Sequence, residues 1–238
     1  MKNSLQTKRL VGIASLAALV VVLQLISNYI QFGTVSITLA LIPMVIGAIL
    51  YGPLTGFGLG AIMGVVILTA PSTSTFLSFN AFTTILLCIL KTGLAGLAAG
   101  WVYKGLIRLE FLKKAKFPVA IIVSTLIAPI INTGLFILGT AIMFQGLSVP
   151  GANPGEVIVL VPSTGSFGEA FSAAVGFVVF TNFLVEFVVC AVLSPSLIYL
   201  VKILGTKFDL GFANDFKSQA NLLTIDEDDE EVKQEILE

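Results

Sequence analysis

The chain has 238 residues, of which 56% are hydrophobic and only 11% are charged, and its net charge is -1. Soluble domains carry roughly 25% charged residues, so this composition excludes an ordinary soluble protein. Histidine is absent from the sequence, which excludes imidazole-based catalytic triads, histidine zinc sites and the HExxH metalloprotease motif. Cys88 and Cys190 both lie in apolar runs and are predicted to be small buried hydrophobes rather than a disulfide. We therefore expect one membrane domain without a catalytic centre, metal or cofactor.

Six apolar segments follow one another along the chain, at residues 10–30, 35–51, 54–68, 80–106, 118–144 and 171–204. Most of them reach the ~20 residues that cross the hydrocarbon core of a bilayer, and the others come close. Helices are expected, because lipid offers no partner to exposed backbone groups and the runs lack the alternation of barrel strands. The first segment is too long for the apolar region of a signal peptide and no small-residue cleavage site follows it, so it is predicted to be retained.

Every lysine and arginine except Lys91 lies at one set of segment ends, before residue 10, between residues 104 and 116, or after residue 201. The opposite loops at 31–36, 70–80 and 145–170 contain no lysine or arginine. By the positive-inside rule the basic ends are cytoplasmic. The sequence thus predicts an all-α membrane protein, a bundle of six transmembrane helices with both termini cytoplasmic, in a bacterial-type cell membrane. Residues 1–9 form a short cytoplasmic segment, and the acidic tail at 205–238 is predicted to be solvated and disordered.

Small residues recur at four-residue spacing in three of the segments: Gly52, Gly56, Gly60 and Gly64 in the third, Gly96 and Gly100 in the fourth, and Ala14 and Ala18 in the first. Residues four apart share a helix face, and small side chains there let another helix approach closely. For the third and fourth segments we predict packing inside the bundle. For the alanine pair, packing inside the bundle and contact with a different membrane protein are both open.

Four polar side chains are predicted at similar depth near the middle of the membrane: Lys91, Asn132, Asn182 and Glu186. Counting ~1.5 Å per residue from the outer helix ends places the first three ~16–18 Å deep, and Glu186 one turn deeper. Charged groups at such depth are expensive and usually face an interior or a pathway. They could form a structural Lys91–Glu186 pair, or a polar pocket for a small solute with an anionic group. The outer loops add weaker rim candidates: Asn28, Tyr29, Gln31 and Asn80.

The segment SITLALIP at residues 36–43, the following GAILYGP at 47–53 and the glycine ladder after it resemble the substrate-binding S components of energy-coupling factor (ECF) vitamin transporters. KTGLAG at 91–96, NTG at 132–134 and the first-segment alanine pair fit the same family. The resemblance implies a six-helix subunit that binds a water-soluble vitamin from outside. It also implies docking, through Ala14 and Ala18, onto a coupling transmembrane subunit that two ATPase subunits drive.

Among the vitamins the resemblance favours pantothenate, whose carboxylate would suit Lys91, and leaves riboflavin and folate as alternatives. The chain has no GxxxxGK phosphate loop, so ATP hydrolysis is expected in the partner subunits, and neither enzymatic activity nor nucleic-acid binding is expected. The rival function is a stand-alone secondary transporter or channel. Such proteins commonly contain internal repeats, and no repeat relates residues 10–106 to residues 118–204.

The predicted orientation can be tested with single cysteines in a variant lacking Cys88 and Cys190. A cysteine in place of Asn153 should react with a membrane-impermeant maleimide added to intact cells, because residues 150–156 are predicted to be external. A cysteine in place of Lys2 or Glu230 should react only after permeabilisation. External labelling of the tail combined with protection of the 150–156 loop would reverse the orientation.

Overall fold

The computed structural model describes residues 2–29, 31–32, 35–36, 38–109, 116–150, 157–159, 161, 168, 171–172 and 183–208. The helices with bounds in this part of the chain are α1 (Lys2–Tyr29), α2 (Leu41–Tyr51), α3 (Pro53–Ile67), α4 (Ser74–Phe79), α5 (Ala81–Ile107), α6 (Lys116–Met143) and α7 (Leu184–Phe208). A 3-10 turn at Pro71–Thr73 precedes α4. Two short antiparallel hairpins pair β1 (Gln31–Phe32) with β2 (Val35–Ser36) and β3 (Ser148–Pro150) with β4 (Val157–Val159). The predicted helical architecture is confirmed.

Four helices of the described residues are long and apolar enough to cross a membrane: α1, α5, α6 and α7. A fifth crossing is present if α3 and the segment Pro71–Phe79, which meet at an angle of 80°, count as one broken span. The short helix α2 is apolar but too short for this criterion. Six crossings and cytoplasmic termini therefore stay predictions, and the tail beyond residue 208 and the first part of the predicted sixth span, at 173–182, lie outside the described residues.

The predicted start of the second span at residue 35 is wrong. Val35 and Ser36 form strand β2, and α2 begins at Leu41. The remaining 11 residues span about 16 Å, roughly half the hydrocarbon thickness. All but one of them are buried, so other helices rather than lipid surround α2. An apolar run shows that a segment avoids water, but not whether it meets lipid or protein.

A sharp turn at Gly52 joins α2 to α3. Gly52 adopts φ 103°, which a residue with a side chain rarely adopts, and Pro53 begins α3 at a position where its missing N–H costs nothing. Arg9 of α1 donates from Nη2 to the Tyr51 carbonyl oxygen at 2.9 Å. Tyr51 is the last residue of α2, and a cation at the C-terminal end of a helix is stabilised by the helix dipole. Lys104 Nζ lies 3.7 Å from where a Gly52 Cβ would be, so two of the basic segments meet at one end of the bundle.

Glycines bring α3 and α5 into backbone contact, which confirms the predicted packing within the bundle. A Cβ on Gly56 would lie 2.5 Å from the Gly96 carbonyl oxygen, and one on Gly64 2.6 Å from the Cys88 carbonyl oxygen. A Cβ on Gly60 would collide with the Thr92 carbonyl oxygen. Without side chains at these positions, the two helices approach closely enough for extensive dispersion contact, which drives helix association in lipid.

Local side-chain hydrogen bonds stabilise the start of α5 and the segment of α7 around a proline. Asn80 caps α5, since its Oδ1 accepts the Thr83 backbone N–H at 3.2 Å. Pro195 lies inside α7 and cannot donate to the carbonyl four residues earlier, that of Ala191. The Ser194 hydroxyl donates to this carbonyl at 2.8 Å instead, so a backbone acceptor in the apolar region keeps a donor.

Two buried apolar clusters fill the described bundle. The larger one surrounds α2 and contains Cys190. The smaller one lies where α6 ends, and joins Leu87, Ile137, Ala141, Phe144, Leu147 and Val161. Cys88 and Cys190 are buried and free, as predicted.

The contact between α3 and α5 predicts opposite effects of alanine at two glycines of α3. Gly60→Ala should destabilise the protein by about 1–3 kcal/mol, because the new methyl group forces the helices apart. Gly58→Ala is the matched control: no atom lies within 4 Å of its Cβ position, so better helix propensity should make it neutral or slightly stabilising. Thermal unfolding of the two variants in detergent measures the difference in stability. Equal melting temperatures would show that the close contact at Gly60 does not contribute to stability.

Candidate functional site

A buried carboxyl group, that of Glu186, is the centre of the candidate site. It lies in the first turn of α7 and is 5% exposed. The Thr38 hydroxyl, from the segment that precedes α2, donates to its Oε1. Its other oxygen, Oε2, has no hydrogen-bond partner among the described residues. A fully buried acceptor without a donor costs about 1–3 kcal/mol, more if it is charged, so a group that supplies a donor there is favoured.

Asn132 of α6 lies beside this carboxyl group, at the range of a side-chain hydrogen bond, and Lys91 of α5 lies within electrostatic reach of it. Asn132 is buried, and its Oδ1 also lacks a hydrogen-bond partner within the described part of the chain. Three of the four side chains predicted at one depth are thus brought together from three different helices. Asn182, the fourth, lies outside the described residues.

The ammonium group of Lys91 lies over an aromatic ring. Its Nζ is 4.3 Å from the centroid of the Phe136 ring, which places a cation against the electron-rich ring face. Phe136 follows Asn132 by one helical turn, so both side chains lie on the same face of α6. Lys91 is half-buried, and within the described ranges it forms no ion pair with Glu186. The direct Lys91–Glu186 pair considered from the sequence is therefore not seen in this structure.

Aromatic side chains lie around Phe136 on the side of the α4 segment. Phe76 of α4 meets the Phe136 ring edge-on at 5.6 Å between centroids, and the Phe144 ring at 5.3 Å. Phe79 completes the group at 6.0 Å from Phe144. Edge-to-face contacts of this kind fix ring orientation. These rings form one aromatic cluster of α4 and the end of α6, and Phe136 joins this cluster to Lys91.

These groups can bind a solute by two kinds of contact. Lys91 offers N–H donors and a positive charge, while Glu186 Oε2 and Asn132 Oδ1 offer acceptors. In a medium of low polarity each such contact is stronger than in water. The site fits a small molecule that carries an anionic group and, separately, hydroxyl or amide donors. No group of three or more side chains suited to holding a metal ion is found in the described segments.

The four weaker rim candidates have different environments in the structure. Asn28 is buried and bonds within the bundle: it accepts from Gln24 Nε2 at 2.8 Å, and its Nδ2 donates to the Val66 carbonyl at 3.1 Å and to Thr69 Oγ1 at 3.0 Å. Asn80 is exposed and caps α5. Tyr29 is 79% exposed at the end of α1. Gln31 lies in β1, and its side chain lies outside the described set.

Thr38 and Phe136 were not among the predicted site residues. Thr38 was part of the segment that carried the family resemblance, and a hydroxyl residue just before a buried helix is a signal for such a contact. Phe136 could have been found from its spacing, because it lies four residues after Asn132. The chain contains 18 phenylalanines, so spacing alone does not distinguish Phe136 from the others.

The outward face of α1 carries the two alanines singled out from the sequence. Ala14 and Ala18 are both exposed, and only 17% of the apolar window of α1 is buried, against 44% for α5 and for α6. The larger apolar side chains of α1 that are also exposed include Val11, Leu19, Val22, Leu25 and Ile26. The alanine pair therefore does not serve packing within the described bundle.

A family model described as the substrate-specific component of ECF transporters matches residues 8–198. The match covers α2 to α6 completely, α1 from residue 8 onward and α7 as far as residue 198. No curated protein and no solved structure gives a significant match to the chain.

Proposed function

The chain belongs to the ECF transporter substrate-specific component family, and we propose that it captures a water-soluble vitamin from outside the cell for an ATP-driven importer. The main support for this proposal is the position of Lys91. A half-buried ammonium group rests on an aromatic ring, within reach of a buried carboxyl group but not paired with it directly. Such a cation destabilises an apolar bundle, and an anionic solute that binds to it would offset this cost.

Pantothenate is the vitamin we propose, because its chemistry matches both parts of the site. Its carboxylate would accept from Lys91, while its hydroxyl and amide groups would donate to Glu186 Oε2 and Asn132 Oδ1. Asn182 is proposed to add an amide contact, and Asn28, Tyr29, Gln31 and Asn80 remain rim candidates. Riboflavin and folate are the alternatives that a binding assay must separate from pantothenate.

We propose that the protein docks through the exposed face of α1 onto the coupling transmembrane subunit of the transporter. Ala14 and Ala18 are exposed one turn apart, which leaves room for close contact with a second helix. ATP hydrolysis is assigned to two ATPase subunits. The cell membrane, with six crossings and both termini cytoplasmic, is the proposed location.

The first test of this function is Lys91→Met, which keeps side-chain length and removes the charge. Loss of a charge-assisted hydrogen bond should lower the affinity for pantothenate by roughly 1.5–3 kcal/mol, or about ten- to a hundredfold. Asn132→Ala should cost less, since a neutral hydrogen bond contributes about 1 kcal/mol net. Isothermal titration calorimetry on the purified variants, with riboflavin and folate as parallel titrants, measures each value.

The double variant Lys91→Met with Glu186→Gln is the control for a purely structural role of the two charges. If the charges only stabilise the bundle, each single change should lower the melting temperature, and the double change should restore it, because no uncompensated charge stays buried. Wild-type pantothenate affinity in the folded double variant would show that the vitamin binds elsewhere.

The docking proposal predicts that Ala14→Leu or Ala18→Leu leaves pantothenate binding intact and abolishes uptake, because a bulky side chain prevents close helix approach. Gly58→Leu is the matched control, since it adds the same bulk at another exposed position with open space around it. Binding is measured on the purified chain, and uptake in proteoliposomes that contain the partner subunits. Normal uptake by both alanine variants would remove the docking role of this face.

A further inference from the structure

Lys91, the residue that would bind an anion, has an unusual environment. A buried lysine is usually stabilised by a carboxylate in direct contact, which also cancels much of its charge. Here the Lys91 ammonium lies 4.3 Å from the centroid of the Phe136 ring, and the described residues place no carboxylate in direct contact with it. An aromatic face attracts a cation without carrying a net charge, so no direct ion pair keeps the ammonium group from a ligand.

The Phe136 ring is itself held in place. Phe76 meets it at an interplanar angle of 62° and meets Phe144 at 81°, so α4 packs against the ring from outside the polar cluster. Ile137, the next residue on α6, is in the same buried cluster as Leu87, one turn before Lys91. A ring fixed in this way can orient a flexible four-carbon side chain that would otherwise sample several positions.

We propose that Phe136 is a positioning residue that determines the preference of this site for anionic ligands. The ring occupies one side of the ammonium group and directs its free N–H donors towards the solute. The preference for a carboxylate over a neutral group of the same shape thus depends on the ring as well as on the lysine. This inference rests on the proposed function, because it assumes that the Lys91 side of the site receives the anionic end of the ligand.

The experiment compares two probes, pantothenate and its neutral primary amide, which differ only at the carboxylate. In Phe136→Leu the affinity for pantothenate should fall about three- to tenfold, with little change for the amide. Phe136→Tyr keeps an aromatic face and should keep the wild-type ratio of the two affinities. Incorporation of 3,4,5-trifluorophenylalanine at position 136 keeps the ring shape, weakens its negative face, and should lower the ratio without affecting folding.

Phe57→Leu is the matched structural control. Phe57 is another half-buried ring packed on α5, where it contacts the position of a Gly93 Cβ at 2.9 Å, two residues from Lys91. Its loss should change the melting temperature but not the ratio of affinities. In a Lys91→Met background, Phe136→Leu should also leave the ratio unchanged, since the ring acts through the ammonium group.

The outcomes separate this inference from the proposed function. If the wild-type protein shows no preference for pantothenate over its amide, the proposed function fails at its anion-binding step. If the wild-type protein shows the preference and both Phe136→Leu and the trifluoro variant keep it within about twofold, the role of Phe136 alone is overturned. A loss of preference in both variants, with retention in Phe136→Tyr and Phe57→Leu, supports it.

Discussion

The backbone contact between α3 and α5 is the constraint on which the described bundle depends. Lipid tails are as apolar as leucine, so helices in a membrane associate through close packing rather than through the exclusion of water. Glycines on both helices permit that packing, and the Gly60 Cα faces the Thr92 carbonyl. Thr92 adjoins Lys91, so the same contact that joins the helices also constrains the direction in which the lysine side chain leaves α5.

The polar side chains inside this bundle fall into two groups with different degrees of satisfaction. Around Asn28 the side-chain amide donors have acceptors, and these bonds hold α1 to α3, while Gln24 Oε1 is the one acceptor of this group without a partner in the described structure. Around Glu186, two acceptor oxygens stay without donors in the described structure, and a cation nearby is not neutralised by direct contact. Unsatisfied buried groups destabilise a fold, and the proposed ligand would supply donors to these two oxygens.

The first helix is held at both ends and open along one face. Near its C-terminal end, Ser27 accepts the Leu39 N–H at 3.2 Å, and near its N-terminal end Arg9 bonds to the last carbonyl of α2. Leu39 adjoins Thr38, which bonds to Glu186. The segment before α2 therefore contacts both α1 and the candidate site. A helix with a fixed orientation and a free face of small and apolar residues suits recognition by another membrane helix.

The sequence by itself determined the membrane class, the bounds of α5 and α6 to within two residues and the packing role of the glycine ladder, and it predicted a similar depth for Lys91, Asn132 and Glu186. These follow from hydropathy, spacing and the rise of a helix, all of which are local properties of the chain. Only the tertiary structure decided that α2 is a short buried helix, that Thr38 bonds to Glu186 and that Lys91 lies on Phe136 rather than in a direct ion pair. Such contacts join residues far apart in the chain, and helical periodicity gives the face of each residue but not the neighbour that the face meets.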